Sequence, residues 1–171
     1  HPIDSKKLAA ILRQHTTLGF NSSNYDLPVI VAALRGDTNA QIKQLSDDII
    51  NAPQVWPVLK KHKIVIPSAF DHIDIIEIPI GQASLKIYGG RLHAPKLQDL
   101  PIEPSAIITP EQRAILREYC HNDLEVTRLL YEALKPQIEL REKMGAQYDL
   151  DLRSKSDAQI AESVIKHELE A

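Results

Sequence analysis

Ten residues from Gly19 to Pro28, Gly-Phe-Asn-Ser-Ser-Asn-Tyr-Asp-Leu-Pro, constrain the fold of this chain more than any other stretch. The approach, Thr16 to Phe20, is short, β-prone and followed by turn-forming Asn and Ser, so it reads as a strand ending at the edge of a sheet. From Pro28 the sequence continues Val29-Ile30-Val31-Ala32-Ala33-Leu34, an apolar stripe suited to the first turns of a buried helix. Proline near a helix start costs little, because the N–H it lacks has no intrahelical partner there. Asp26 is thus delivered at a strand-to-helix junction, the place where ligands tend to bind in open α/β sheets. Local chemistry also allows a plainer reading, in which Asn21, Ser22, Ser23 and Asn24 are turn and cap residues and Asp26 favours the positive helix end.

A second stretch bears on that choice. Arg117-Glu118-Tyr119-Cys120-His121-Asn122-Asp123-Leu124-Glu125-Val126-Thr127 sits in a long helical pattern opened by Thr109-Pro110-Glu111. This is a good helix start, with proline at the first helical position and an acid in the first turn. Tyr119 and Asp123 are four apart and so face the same way. Taken alone, Tyr119 reads as core filler and Asp123 as a surface acid paired with Arg117 or Arg128.

The segment Asn21-Ser-Ser-Asn-Tyr25-Asp26 resembles the second motif, and Tyr119-x-x-x-Asp123 the third, of the DEDD family of 3′–5′ exonucleases in its tyrosine-containing branch. The nearest resemblance is to the proofreading exonuclease of family B and phage-type DNA polymerases. The tail from Asp151 to Glu162 is similar to a segment that follows the exonuclease region in the phage-type enzymes. The histidine branch would place His five residues before the last acid, where this chain has Glu118.

The resemblance implies an α/β, ribonuclease H-like exonuclease fold apparently lacking its N-terminal strands. It implies a partial exonuclease domain over residues 1–135, with a C-terminal helical extension or junction to a further domain over 136–171. The implied reaction is hydrolysis of DNA 3′ ends with two divalent metal ions, Mg or Mn, which prefer hard oxygen ligands. Asp26 and Asp123 match two of the four family acids and would hold metal. Tyr119 matches the tyrosine that positions the attacking water, and Asn21 a polar residue near the substrate 3′ end. Relatives also carry a supporting His-x-Asp strand between these motifs, which places Asp74 near the cleft as a supporting or substrate residue. The first family motif, Asp-x-Glu, is expected upstream of the opening helix, and nothing before Ile3 supplies it. Weak or absent hydrolysis is therefore expected from these 171 residues alone, even if a parent protein is competent. The implied partners are a single-stranded DNA 3′ end and a polymerase domain in the same parent chain. Two other readings stand beside this one: a non-catalytic module that binds nucleic acid or a partner, and an RNA-trimming exonuclease of the same superfamily.

Bulk properties bound these readings. The chain is long enough for one real core, and no apolar run is long enough to cross a membrane, so no membrane role is expected. A single cysteine, Cys120, excludes an intramolecular disulfide and a thiolate zinc cluster, and fits a cytoplasmic setting. A net charge of −3 is no footprint of a general nucleic-acid binder, so phosphate contacts fall to local clusters. Lys60-Lys61-His62-Lys63 is one candidate. The segment from Arg91 to Pro104, with Arg91, His93 and Lys96, is an extended loop and the other candidate, able to track phosphates without reading sequence. Charge runs are usually just surface, so a solvated run is the stronger reading of each and a plain connecting loop that of Arg91 to Pro104.

The remaining expectations are local. Asp4 or Ser5 caps a short opening helix, and Thr38 caps one that follows Gly36-Asp37 and carries Asp47-Asp48 on its outer side. Pro53, Pro57 and Pro67 mark irregular chain around Trp56, with a brief strand over Lys63 to Pro67. Asp71 to Ile78 alternates as a strand whose His72, Asp71, Asp74 and Glu77 mimic a metal site, although alternation sends the carboxylates to opposite faces. A helix from Gly81 ends at Gly89-Gly90, the long helix is interrupted at Pro136, and Ser156 with Gln159 forms a capping box for the last helix.

Overall fold

In the computed structural model, which describes residues 4–170, the chain is mixed α/β, mostly helical with one two-stranded parallel sheet. It divides into two compact units, one running to Ile75 and the other starting at Ile76. Among the described residues no helix is long and apolar enough to cross a membrane.

The first unit holds α1 (Ser5–Gln14), β1 (Thr17–Gly19), α2 (Asp26–Arg35), α3 (Asn39–Asn51), α4 (Val55–Lys61) and β2 (His72–Asp74). Asp4 caps α1 by accepting from the Lys7 N–H, and Thr38 with Gln41 forms a reciprocal capping box on α3. Gly36, left-handed at φ 92°, ends α2. The two strands pair in parallel with Thr17 opposite His72, Leu18 opposite Ile73 and Gly19 opposite Asp74. The three intervening helices pack on one another through Ala32, Leu45, Ile49, Val58 and Ile64, with Tyr25 and Val31 against them.

Three local expectations fail here for identifiable reasons. Pro57 does not keep the chain irregular: it falls in the first turn of α4, where no intrahelical N–H bond is lost, and Val58 behind it is buried. Lys63 to Pro67 forms no strand, because the Ile64 N–H bonds back to the Leu59 carbonyl at 2.9 Å and turns Ile64 into the helical core. The strand expected over Asp71 to Ile78 is only His72–Asp74. The Ile75 N–H takes the Gly19 carbonyl at 2.9 Å, and β1 stops at Gly19, so the ladder ends there.

The second unit holds α5 (Leu85–Arg91), α6 (Pro110–Tyr148) and α7 (Asp157–Glu170). Helix α5 does not end at Gly89-Gly90 but runs through both, with Tyr88 and Gly89 buried where α5 packs on α6. Nor does Pro136 interrupt α6. The buried stripe Val126, Leu130, Leu134, Ile138, Arg141 and Gly145 continues on both sides of it, and Pro136 itself is exposed. Burial of that stripe offsets the one backbone bond that proline removes. Residue 136 thus lies inside a helix of 39 residues.

Beyond α6 the chain turns back on itself. Asp149 is left-handed at φ 53°, and the Leu150 N–H bonds to the Gly145 carbonyl at 3.0 Å. Buried Arg141 then fixes the start of α7, donating to the Lys155 carbonyl at 2.9 Å and to Asp157 at 2.6 Å. Ser156 and Gln159 form the expected reciprocal cap. A Cβ at Gly145 would stand 2.4 Å from the Leu150 carbonyl oxygen. Gly145→Ala is therefore expected to destabilise the fold by about 1–3 kcal/mol, read as a lower urea midpoint at unchanged slope.

Candidate functional site

The sequence-predicted candidate acids fall into two groups, one in each unit. In the first, β1 delivers the chain into a turn at Asn21, whose left-handed backbone (φ 56°) asparagine tolerates better than most residues. The turn is tied to β2 by Asp74, which is 4% exposed. One carboxylate oxygen of Asp74 accepts the Asn21 N–H and the other the Ser23 N–H, both at 2.8 Å. The Asn24 side-chain amide donates to the Asn21 side-chain carbonyl at 2.9 Å. Tyr25 turns away from the junction, its hydroxyl 2.7 Å from Ser46 Oγ on α3.

Asp26 opens α2 immediately after this turn. It is exposed to solvent, yet the protein packed around its carboxyl raises its pKa. A backbone hydrogen bond partly offsets that rise, and the nearby Asp74 charge adds to it. Asn21, Asp26 and Asp74 are therefore gathered at one strand-to-helix junction.

The second cluster lies on α6. Tyr119 and Asp123 lie one turn apart on the same face, both half-buried. Burial pushes both groups up, and their mutual interaction raises the phenol further while holding the acid down. Asp123 takes neither Arg117 nor Arg128 as partner, and Arg128 pairs with Glu125 instead.

The other carboxylates with shifted pKa values behave differently. Asp37 is drawn down by Arg35, Glu118 by Lys96, and Glu111 by amide and hydroxyl donors at the start of α6. Asp48 is held well below the usual carboxylate range by Lys61, then by His62 and Gln44. Asp26 and Asp123 pair with no cation among the described residues and are pushed the opposite way.

The basic candidates are partly engaged. Lys61 and His62 both contact Asp48, so that acidic residue bridges α3 to the end of α4, while Asp47 pairs with Lys43. Lys60 lies 5.3 Å from the Trp56 ring centre. In the second unit Lys96 pairs with Glu118 at 2.6 Å, and the Arg91 guanidinium lies 5.5 Å from the Tyr88 ring centre. Both pairings are exposed enough to open at little cost.

The quartet Asp71, His72, Asp74 and Glu77 does not form a metal cage. Among the described residues no group of three or more His, Cys, Asp or Glu is gathered in a metal-holding arrangement. Asp71 receives the Thr16 hydroxyl, Asp74 holds the turn, and both His72 ring nitrogens face hydroxyls. Asp26 and Asp123 each offer hard carboxylate oxygens, a donor type suited to Mg or Mn rather than to softer metals.

Comparison with family models, curated proteins and solved structures returns no significant match.

Sequence reasoning missed the contact between Ser22 and His72. Ser22 is 4% exposed, its hydroxyl 2.7 Å from His72 Nε2. The only available signal was the pairing of a turn serine with a glycine three residues before it: a Cβ at Gly19 would stand 2.3 Å from Ser22 Oγ.

The raised Asp26 pKa carries a stability consequence. Its ionised form is penalised in the folded state, so the folded chain binds the proton more tightly, and stability falls as pH rises through the carboxylate range above 3.8. Asp26→Asn is expected to match or exceed the parent in melting temperature at pH 7, with any gain vanishing below pH 3.8, where both carry a neutral side chain. Thermal melts at the two pH values check this.

Proposed function

We propose that this chain is the 3′–5′ exonuclease part, in the tyrosine branch of the DEDD family, of a DNA polymerase or polymerase-like protein. On this reading it has a ribonuclease H-like fold and acts on single-stranded DNA 3′ ends. The observation that carries the reading is geometric: Asp26 opens α2 directly after the turn held by Asp74, Asp123 lies one helical turn from Tyr119, and neither acid has a cation beside it among the described residues. Other shifted acids are satisfied by basic residues or amides. Carboxylates kept in such surroundings are a mark of functional sites, because a bound cation or substrate relieves the penalty.

Asp26 and Asp123 would be the metal-holding acids. Two divalent ions, when bound, activate water and stabilise the departing sugar oxygen. Tyr119, one turn from Asp123 on the same face, is suited to orient the attacking water through its hydroxyl. Asn21 stands at the turn with its side-chain carbonyl held by Asn24, so its amide N–H₂ is the group presented to a 3′-terminal nucleotide. Arg91 and Lys96 would exchange their present partners for phosphates of the entering strand.

The test is Mg- or Mn-dependent release of nucleotides from a 3′-labelled single strand by the natural full-length protein. Asp26→Ala and Asp123→Ala are expected to lower release by at least about a hundredfold with the fold intact by circular dichroism, and Tyr119→Phe by less. Substantial activity in either alanine variant sinks the assignment. Strand binding without release points to the non-catalytic module, and preferential trimming of an RNA strand to the RNA enzyme.

A further inference from the structure

His72 sits on β2 opposite Thr17 of β1, and each ring nitrogen meets a hydroxyl: Nδ1 lies 2.8 Å from Thr17 Oγ1 and Nε2 2.7 Å from Ser22 Oγ. The Thr17 hydroxyl donates to the Asp71 carbonyl at 3.3 Å, so it accepts from Nδ1–H. Nε2 is then the acceptor, and the Ser22 hydroxyl donates to it. Burial favours this neutral ring, against the pull of Asp74 and Asp71.

Ser22 is the hub of the junction. Its two chain neighbours, Asn21 and Ser23, point their N–H groups at Asp74. Its own carbonyl accepts the Leu27 N–H at 2.8 Å, one residue past Asp26. Its hydroxyl lies over β1, where the bare Gly19 leaves room for it. A residue that fixes the Ser22 side chain therefore fixes the turn on one side of it and the first turn of α2 on the other.

We propose that His72 is a positioning residue that acts through Ser22 to set where Asn21 and Asp26 stand. Its effect on hydrolysis rests on the exonuclease reading, whereas its effect on the turn does not. His72 needs no contact with substrate or metal for this role. The side-chain length that matters is that of the Nε2 arm: glutamine reaches about as far as Nε2, asparagine only about as far as Nδ1.

The experiment compares His72→Leu, His72→Asn, His72→Gln, Ser22→Ala and Thr17→Val by amide hydrogen exchange at Asn21 and Ser23 and by nucleotide release in the full-length protein. His72→Leu, His72→Asn and Ser22→Ala are expected to speed exchange at both amides and to lower kcat, each by about tenfold or more, the equivalent of one lost buried hydrogen bond. His72→Gln is expected to stay within about threefold of the parent. Thr17→Val is expected to do the same, since the ring can switch tautomer and donate to Ser22 instead. Should His72→Leu not fold, Ser22→Ala and His72→Gln still decide the matter. Unchanged exchange in Ser22→Ala, or exchange in His72→Gln as fast as in His72→Leu, overturns the proposal even if kcat falls. The expected exchange pattern in a protein that releases no nucleotide upholds the positioning role and removes the exonuclease reading.

Discussion

The first unit depends on a single buried carboxylate. Two strands of three residues each are too short to hold a parallel sheet by their ladder alone, and a two-stranded sheet is marginal in water. Asp74 supplies what the ladder lacks. It leaves β2 opposite Gly19 and spends one oxygen on each of two turn amides, so strand, turn and helix start become one hydrogen-bonded body. A carboxylate this deeply buried is tolerable only because charged hydrogen bonds of this kind are roughly twice as strong as neutral ones. The same bonds dictate the left-handed backbone at Asn21, since the N–H groups of residues 21 and 23 converge on one acid only if the chain reverses between them.

Where the sequence was legible, the signal was local. Asp4, Thr38, Thr109 and Ser156 each cap the helix that their own neighbours predict, because a cap needs only the next three residues. The β-prone run before Asn21 is a strand, and the apolar run after Pro28 a buried helix. Expectations failed where a distant partner decided the outcome. Pro57 and Pro136 look like breakers in isolation, but one falls in a first turn and the other on the exposed side of a helix whose opposite face is buried from Val126 to Gly145. Ile64 alternates like a strand residue, yet the helical cluster of α2, α3 and α4 offered it a better burial than any strand partner.

The candidate site shows the same division. The Tyr119–Asp123 pairing follows from helical spacing and needed no tertiary information. That Asp26 sits beside Asp74 did not follow, because the two are 48 residues apart in the sequence and meet only through the register of β1 with β2. His72 was legible as a residue type and misleading as chemistry. Beside three acids it mimics a metal ligand, a reading that strand alternation already argued against, and its ring lies between two hydroxyls that carry no signature in sequence.

Asp26 and Asp74 divide one carboxylate-rich junction into two roles. Asp74 has its oxygens committed to backbone amides, and its charge is part of the fold. Asp26, a few residues further along the turn, meets that fixed charge with a desolvated carboxyl of its own, and the two effects act together against ionisation. Asp26 stands one place inside α2, whose N-cap is Tyr25, so as a helix-start acid it gains from the macrodipole only a few tenths of a kcal/mol to about 1 kcal/mol, and the neighbouring Asp74 charge works against that gain. A cation near Asp26 and Asp74 would turn that repulsion into attraction, which is the physical reason a carboxylate in this setting fits the metal-dependent chemistry proposed above.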